Sequence, residues 1–206
     1  MNYTEILADA VAISGRPDLT TKMAVAVRAA TLRMHQSDYY VRDLVERKIV
    51  VITPAYIHEW ELAAVFTRYR ALKYLRKWDP VGIDANTGLT TGCAGEFFKI
   101  LDPTEVLDGY GATKSNVAYA TGAFLNVHSN TSDSQFLASW YQAPRISPVE
   151  QYSSWIAAEV PYAVIFDACS ILFNTIGEQE TSRKFDTLVT EQVAMVRMAG
   201  LQTKGY

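Results

Sequence analysis

Apolar residues along the chain change their period twice, and the changes divide it into three stretches. In the first, Ile6, Leu7, Ala10, Val11 and Ser14 lie on one face of a helix that Thr4 can cap and Gly15 can stop. Arg16-Pro17-Asp18-Leu19-Thr20 reads as a turn into a second helix. There Met23, Val27, Ala30 and Met34 recur at spacings of four, three and four, the mark of a single buried stripe that ends by Ser37-Asp38. The last stretch is helical again. Ser153 or Ser154 can cap a short helix through Trp155 and Ile156, and Pro161 then opens a longer one. Its stripe is Tyr162, Ile165, Phe166, Cys169, Leu172, Phe173 and Ile176, with Gly177 as the stop. A final helix carries Phe185, Leu188, Val189, Val193 and Val196 and ends at Gly200.

The middle stretch has the period of strands. Residues 46–52 are rich in β-branched side chains and lead to Thr53-Pro54, where a strand is expected to end. Trp60 to Trp78 fits a helix through Leu62, Val65, Phe66, Tyr69 and Leu72, yet its aromatic and basic alternation fits a strand. Asp84 to Gly95 reads as a polar, Gly-rich loop. Residues 97–101 form a short strand before a helical turn at Asp102-Pro103-Thr104-Glu105. Val117–His128 and Phe136–Gln142 then predict a hairpin connected by Asn130-Thr131-Ser132-Asp133, with Tyr119, Phe124 and Val127 near one surface. Gly122 implies a turn or bulge inside the first arm. The expected class is α+β. A helical bundle from residues 1–38 and 146–200 encloses a β-rich insertion, 39–145, and 201–206 form a flexible C-terminal tail.

Composition narrows the function. At 206 residues and 49% apolar content the chain can bury a core of its own. A net charge of −3 lacks the concentrated positive face that gripping phosphates requires. Cys93 and Cys169 are far apart in unlike segments and suggest neither a disulfide framework nor a zinc site. The first five residues carry no basic region of a signal peptide, and no run approaches the length of a membrane span. These features predict a chain made and kept in a reducing, aqueous compartment.

Candidate chemistry is sparse. His35, His58 and His128 share no metal-ligand spacing. Gly111-Ala112-Thr113-Lys114-Ser115 lacks the Gly directly before Lys that a phosphate-binding loop needs. Asp84-Ala85-Asn86-Thr87-Gly88 opens like a calcium loop, without the bidentate Glu at its twelfth position. Glu59 and Glu61 share a strand face with no other polar group converging there. No nucleophile elbow is present. The expectation is a protein with no cofactor and no turnover. The most suggestive cluster is basic and aromatic: Arg68, Arg70, Lys73, Arg76 and Lys77, with Tyr69, Tyr74 and Trp78 between. It reads as a contact for phosphates or an acidic partner, or as an ordinary solvated face. Twelve Tyr and four Trp are the residue types used at interfaces, which favours assembly over catalysis.

Four segments, in order, resemble the phage head-to-tail adaptor family. Residues 3–11 leading to Gly15-Arg16-Pro17-Asp18-Leu19-Thr20 are similar to that family's opening helix and Arg-x-Asp-Leu turn. Thr53-Pro54-Ala55-Tyr56-Ile57 resembles its strand followed by a proline step. The hairpin closing in Trp140-Tyr141-Gln142-Ala143-Pro144-Arg145-Ile146-Ser147 resembles its strand of paired aromatics, polar turn, Pro and Ser. Ser154-Trp155-Ile156, followed by Pro161-Tyr162 and two helices, resembles its C-terminal helical pair. The chain departs from the pattern between Trp60 and Gly95, where it is more basic and more Gly-rich.

The resemblance implies a structural virion protein at the neck, made in the host cytoplasm. Copies form a dodecameric ring under the portal protein, joining it to a tail or nozzle protein and letting double-stranded DNA pass without specific binding. By the same resemblance the C-terminal segment contacts the portal, and the β-rich part meets the tail or neighbouring subunits. Lys204 and Tyr206, in a tail ending in an aromatic, join Arg68, Arg70, Lys73, Tyr74, Arg76, Lys77 and Trp78 as expected interface residues. Three alternatives remain open on the sequence. They are a tail-tube or tail-completion protein, a ligand-binding or catalytic α+β domain, and a nucleic-acid module using Arg68 to Lys77.

Overall fold

A computed structural model describes residues 1–83, 90–107 and 109–201, with 45–48, 83, 90, 200 and 201 described by backbone alone. The chain is mixed helix and sheet, with the sheet in the middle of the sequence. It divides into two compact units, Met1–Asp43 with Ala143–Tyr206, and Leu44–Gln142.

The first unit is helical. α1 (Tyr3–Ser14) starts at Asn2, not at Thr4 as the sequence predicted. The reason is Glu5, whose backbone N–H donates to the Asn2 side chain at 2.9 Å while its carboxylate accepts from the Asn2 backbone N–H. Gly15 ends the helix in the left-handed conformation (φ 64°), as expected of a C-terminal glycine. A 3-10 turn at Pro17–Leu19 leads to α2 (Thr20–Gln36), whose predicted stripe of Met23, Val27, Ala30 and Met34 is buried throughout. After the second unit come α4 (Trp155–Glu159), capped by Ser154, then α5 (Pro161–Thr175) and α6 (Gln179–Leu201). Pro161 occupies the first position of α5, where its missing N–H costs nothing.

α5 touches α1, α2, α4 and α6 and is buried on almost every side. Its Ile165, Ala168, Cys169 and Leu172 share one core with Ile6 and Ala10 of α1 and with the α2 stripe. Two expected members of the helical stripes face solvent instead: Tyr162 lies at the first turn of α5, and Leu188 sits beside the buried Val189 on α6. Asp167, also on α5, is fully buried, and the half-exposed Arg33 of α2 donates Nε–H to its Oδ2 at 2.9 Å. A buried carboxylate needs such a partner. The thiol of Cys169 donates to the carbonyl of Ala10, and burial pushes it up to about 12, so it behaves as an apolar group.

The second unit is a six-stranded sheet of β1 (Leu44–Glu61), β2 (Tyr69–Ile83), β3 (Thr90–Phe97), β4 (Lys99–Ile100), β5 (Val117–Thr121) and β6 (Phe124–Gln142). β6 is its axis. β1 pairs antiparallel along one side of it, while β5 and then β2 pair antiparallel along the other, and β3 adds to β2. Leu44 pairs with Tyr141, so the chain enters and leaves this unit on adjacent strands. Trp60, Phe66, Phe136 and Trp140 form an aromatic cluster with Leu75 and Phe98, their rings 5 to 6 Å apart as edge-on and tilted pairs.

Three expectations about this sheet are corrected, and the open choice between helix and strand over Trp60–Trp78 falls mostly to strand. The strand predicted to stop at Thr53-Pro54 runs on to Glu61, because Pro54 falls in a register break between Val51 and Ala55 on an outer strand. The Trp60–Trp78 region is strand, one helical turn α3 (Leu62–Val65), then strand again. Residues 90–95 of the predicted loop belong to β3, and 84–89 lie outside the described residues. The predicted 97–101 strand is split at Phe98, whose N–H donates to Leu75 of β2, while Lys99–Ile100 pair with β5.

The hairpin is also displaced. Its turn is at Gly122-Ala123, with Gly122 in the left-handed region (φ 58°), and Asn130–Asp133 lie inside β6. Pairs Ile57–His128 and Ala55–Asp133 show the consequence: β1 advances two residues where β6 advances five, so the polar run bulges out of the ladder. Val127 is buried while Tyr119 and Phe124 are not, so the three do not share a buried surface.

His58 sits in this core beside Trp60 and Phe136. Burial holds it below the ordinary imidazole value, against hydrogen bonds to the backbone of Ala55 and Asp133, and its Nε2 is buried without a hydrogen-bond partner. A folded-state value below the unfolded one stabilises fully above about pH 6.5 and loses that contribution as pH falls through the folded value. Urea unfolding of the wild type between pH 7 and pH 5 is therefore expected to weaken more steeply than that of His58→Phe. Parallel slopes would remove His58 as the source.

Candidate functional site

The basic run does not form one face. β2 alternates sides, and a register shift between Leu72 and Tyr74 resets which side each residue takes. Leu75 and Lys77 point to the buried side, where Leu75 joins the aromatic cluster. The Lys77 side chain is only 11% exposed, and its Nζ donates to Thr131 Oγ1 at 2.7 Å and to Asn130 Oδ1, with Asp133 Oδ2 at 3.5 Å. Ser129 and Thr131 in turn donate to Asp133. Lys77, expected at an interface, thus holds the β6 bulge from inside the unit: a stem alternating with Leu75 is carried inward, and the polar bulge meets its charge.

On the other side of β2, Arg76 lies over the Phe97 ring at 4.0 Å and donates to the carbonyls of Ala94 and Gly95 on β3. Tyr74 packs edge-on against the same ring at 6.0 Å. Trp78 is half-buried, and a side chain at Gly92 would meet its indole, so glycine there lets β3 close on it. Arg68 stands at positive φ after α3 and donates to Gln142 at 2.6 Å, Lys73 is exposed, and Arg70 is half-buried. The structure therefore gathers Tyr74, Arg76 and Phe97 into one partly exposed patch and leaves Arg68 and Lys73 as separate surface cations. Lys204 and Tyr206 lie outside the described residues.

The histidines are placed singly. His128 stacks on Tyr119, with burial lowering its basicity, and His58 is buried against the Trp60 and Phe136 rings of the sheet core. His35 is different. It is buried at the end of α2, its Nδ1 lies 2.9 Å from Asp43 Oδ2, and its Nε2 lies 2.9 Å from Ser154 Oγ. Asp43 also accepts from Trp155 Nε1 at 2.8 Å. This serine–histidine–aspartate chain escaped the sequence reading, which had Ser154 only as a helix cap. Separations of 119 and 8 residues leave no local signal.

Two hollows mark the helical unit. A polar one of about 310 Å³ is lined by Arg33, Ser170, Asn174, Ser182, Arg183 and Asp186. Ser170 donates to Asp186 Oδ1 at 2.5 Å, a contact that ties α5 to α6. An apolar one of about 220 Å³ runs between α2 and α5 past Val25, Ala26, Ala29 and Ile171. Among the described residues no group of three His, Cys, Asp or Glu side chains is placed to hold a metal ion, and no helix is long and apolar enough to cross a membrane. Glu59 and Glu61 are exposed on either side of the buried Trp60. Residues 111–115 form a bend closed by the Leu107–Thr113 bridge, and the calcium-like stretch at 84–88 lies outside the described residues. No protein-family model matches the chain, and no curated protein matches it.

The division of labour along β2 has a measurable consequence. Lys77→Met strands Asp133 and the bulge without their cation and is expected to destabilise by about 1–3 kcal/mol. Lys73→Met, on the exposed side, is expected to stay within about 0.5 kcal/mol of wild type. Denaturant melts of the two variants separate these outcomes, and equal losses would contradict the inward placement of Lys77.

Proposed function

We propose that the chain is a structural protein of a tailed phage, the adaptor whose ring joins the portal protein to a tail or nozzle protein. In this reading the helices of the two chain ends act as a bundle that anchors the subunit, and the sheet is the arm that meets other copies. The family assignment rests on the four ordered segments of sequence resemblance. The observation that best supports an assembling protein is the state of the sheet's flanks. β1 pairs with β6 on one side, has no strand on its other side among the described residues, and exposes Val51, Tyr56 and Ile57. A long apolar outer strand is an invitation to another chain and is usually blunted where none is intended.

The opposite flank has the complementary feature. Along the path β1–β6–β2–β3 every pairing is antiparallel, so β1 and β3 run in opposite directions. A neighbour that set its β3 beside β1 would continue the alternation, and such head-to-tail contacts close into rings when the rotation allows. β3 offers the exposed Phe97 for that contact. The net charge of −3 suits a lumen through which DNA slides unheld. A dodecamer is the ring size that the resemblance implies.

A tail-tube or tail-completion protein would share the build but not the portal. Mixing the purified chain with the portal protein of the same virus and weighing the product is the test, with negative-stain images of the complex. Caps on the portal ring are expected for wild type. Ile57→Lys, on an exposed position, is expected to lose them while keeping its thermal midpoint. No mass gain with portal would contradict the adaptor reading, and unchanged capping by Ile57→Lys would contradict the role given to β1.

A further inference from the structure

We propose that Ser154 is an activated nucleophile able to take an acyl group from a small carboxylic ester, with His35 as its base and Asp43 as the residue that positions the base. This goes beyond the assembly reading and rests on different residues. The argument starts from hydrogen-bond bookkeeping. Asp43 is buried and accepts from Trp155 Nε1 at 2.8 Å and from His35 Nδ1 at 2.9 to 3.0 Å. A neutral imidazole that donates from Nδ1 leaves Nε2 as an acceptor. The group that meets Nε2 is Ser154 Oγ at 2.9 Å, within reach to give its proton to a neutral ring. Ser154 Oγ also accepts from Ala157 N–H at 3.1 Å. A hydroxyl has one proton and two lone pairs, so one pair stays available for attack.

The three side chains come from different elements and are fixed by packing. His35 is 1% exposed at the end of α2, and the Trp155 ring stands edge-on to both His35 and Tyr40. Arg42 covers the Trp155 ring at 4.8 Å and is paired with Glu159. Among the described residues Asp43 meets the imidazole directly, Tyr40, Arg42 and Glu159 lie around the Trp155 ring, and Asp38 and Arg197 lie beyond Tyr40. Ser154 itself is only half-buried and lies between exposed Ser153 and α4, so it is less enclosed than the 1%-exposed His35. A nucleophile bonded to a base that is oriented by a third group is the general arrangement for acyl transfer.

The reaction balances on these groups. Ser154 Oγ adds to the carbonyl carbon of the ester, the carbonyl π pair moves to its oxygen, and the hydroxyl proton passes to His35 Nε2. Collapse re-forms the carbonyl and expels the alcohol, which leaves with the proton from Nε2. Water then repeats both steps on the acyl-serine and releases the carboxylic acid. The structure supplies activation of the nucleophile, so small esters with good leaving groups are the substrate class.

The test uses the full-length protein with two probes, a fluorophosphonate and p-nitrophenyl acetate. Peptide mapping by mass spectrometry is expected to find the phosphonate on Ser154. The labelling rate is expected to rise with pH to a plateau, as it does when a nucleophile is served by a bonded base. His35→Gln is expected to slow labelling and acetate release about 100-fold, the scale of a positioned general base. Asp43→Asn is expected to move the pH profile, which a merely structural aspartate would not do. A folded wild type that takes no label at Ser154 would overturn the proposal, as would a label indifferent to His35→Gln. Should His35→Gln not fold, the wild-type profile decides: a plateau supports the proposal, and a rate that climbs with hydroxide without levelling overturns it.

Discussion

α5 is too apolar to stand at a surface. Fifteen residues long, it buries Ala163, Val164, Ile165, Ala168, Cys169, Leu172 and Phe173, and hides Asp167 among them. α4 and α6 cover only part of that circumference, and the rest is met by α1 and α2 from the opposite end of the sequence. Each large side chain in such a core is worth about 1.5–3 kcal/mol when removed from water. The helical unit therefore forms only if the two ends of the chain come together, even though the second unit, Leu44–Gln142, separates them in sequence. The insertion accommodates this because its first and last strands pair with each other, Leu44 opposite Tyr141. A closed excursion of this kind adds a second core without straining the first.

This constraint explains what could be read from sequence. Helical stripes announce themselves at short range, so Met23, Val27, Ala30 and Met34 were legible one turn at a time. Capping was legible to within two residues, where Asn2 and Glu5 outbid Thr4 through reciprocal bonds. The sheet was harder, because polar residues inside it mimic loops. Asn130–Asp133 carry the composition of a turn, yet Lys77 and the run's own hydroxyls satisfy them within a bulge. Only the partner strand reveals this, and the partner lies more than fifty residues away.

Chemistry was the least legible. A basic run on a strand is split between two faces by alternation, so Arg76 and Lys77, neighbours in sequence, end in unlike surroundings. The converse holds for His35, Asp43 and Ser154, which sequence separates and the helical core assembles. Their meeting depends on the same union of chain ends: α2 brings the imidazole, the segment before β1 brings the carboxylate, and α4 brings the hydroxyl. The exposed outer strand of the sheet and the buried polar chain in the helices are thus separate consequences of one architecture.

Native-state hydrogen exchange on the full chain tests that architecture most directly. If the ends form a single cooperative core, the buried amides of α2 and of α5 exchange with one common opening free energy and lose protection together as denaturant is added. Amides of α2 that exchange freely while α5 stays protected would show that the two ends fold apart, and would contradict the account.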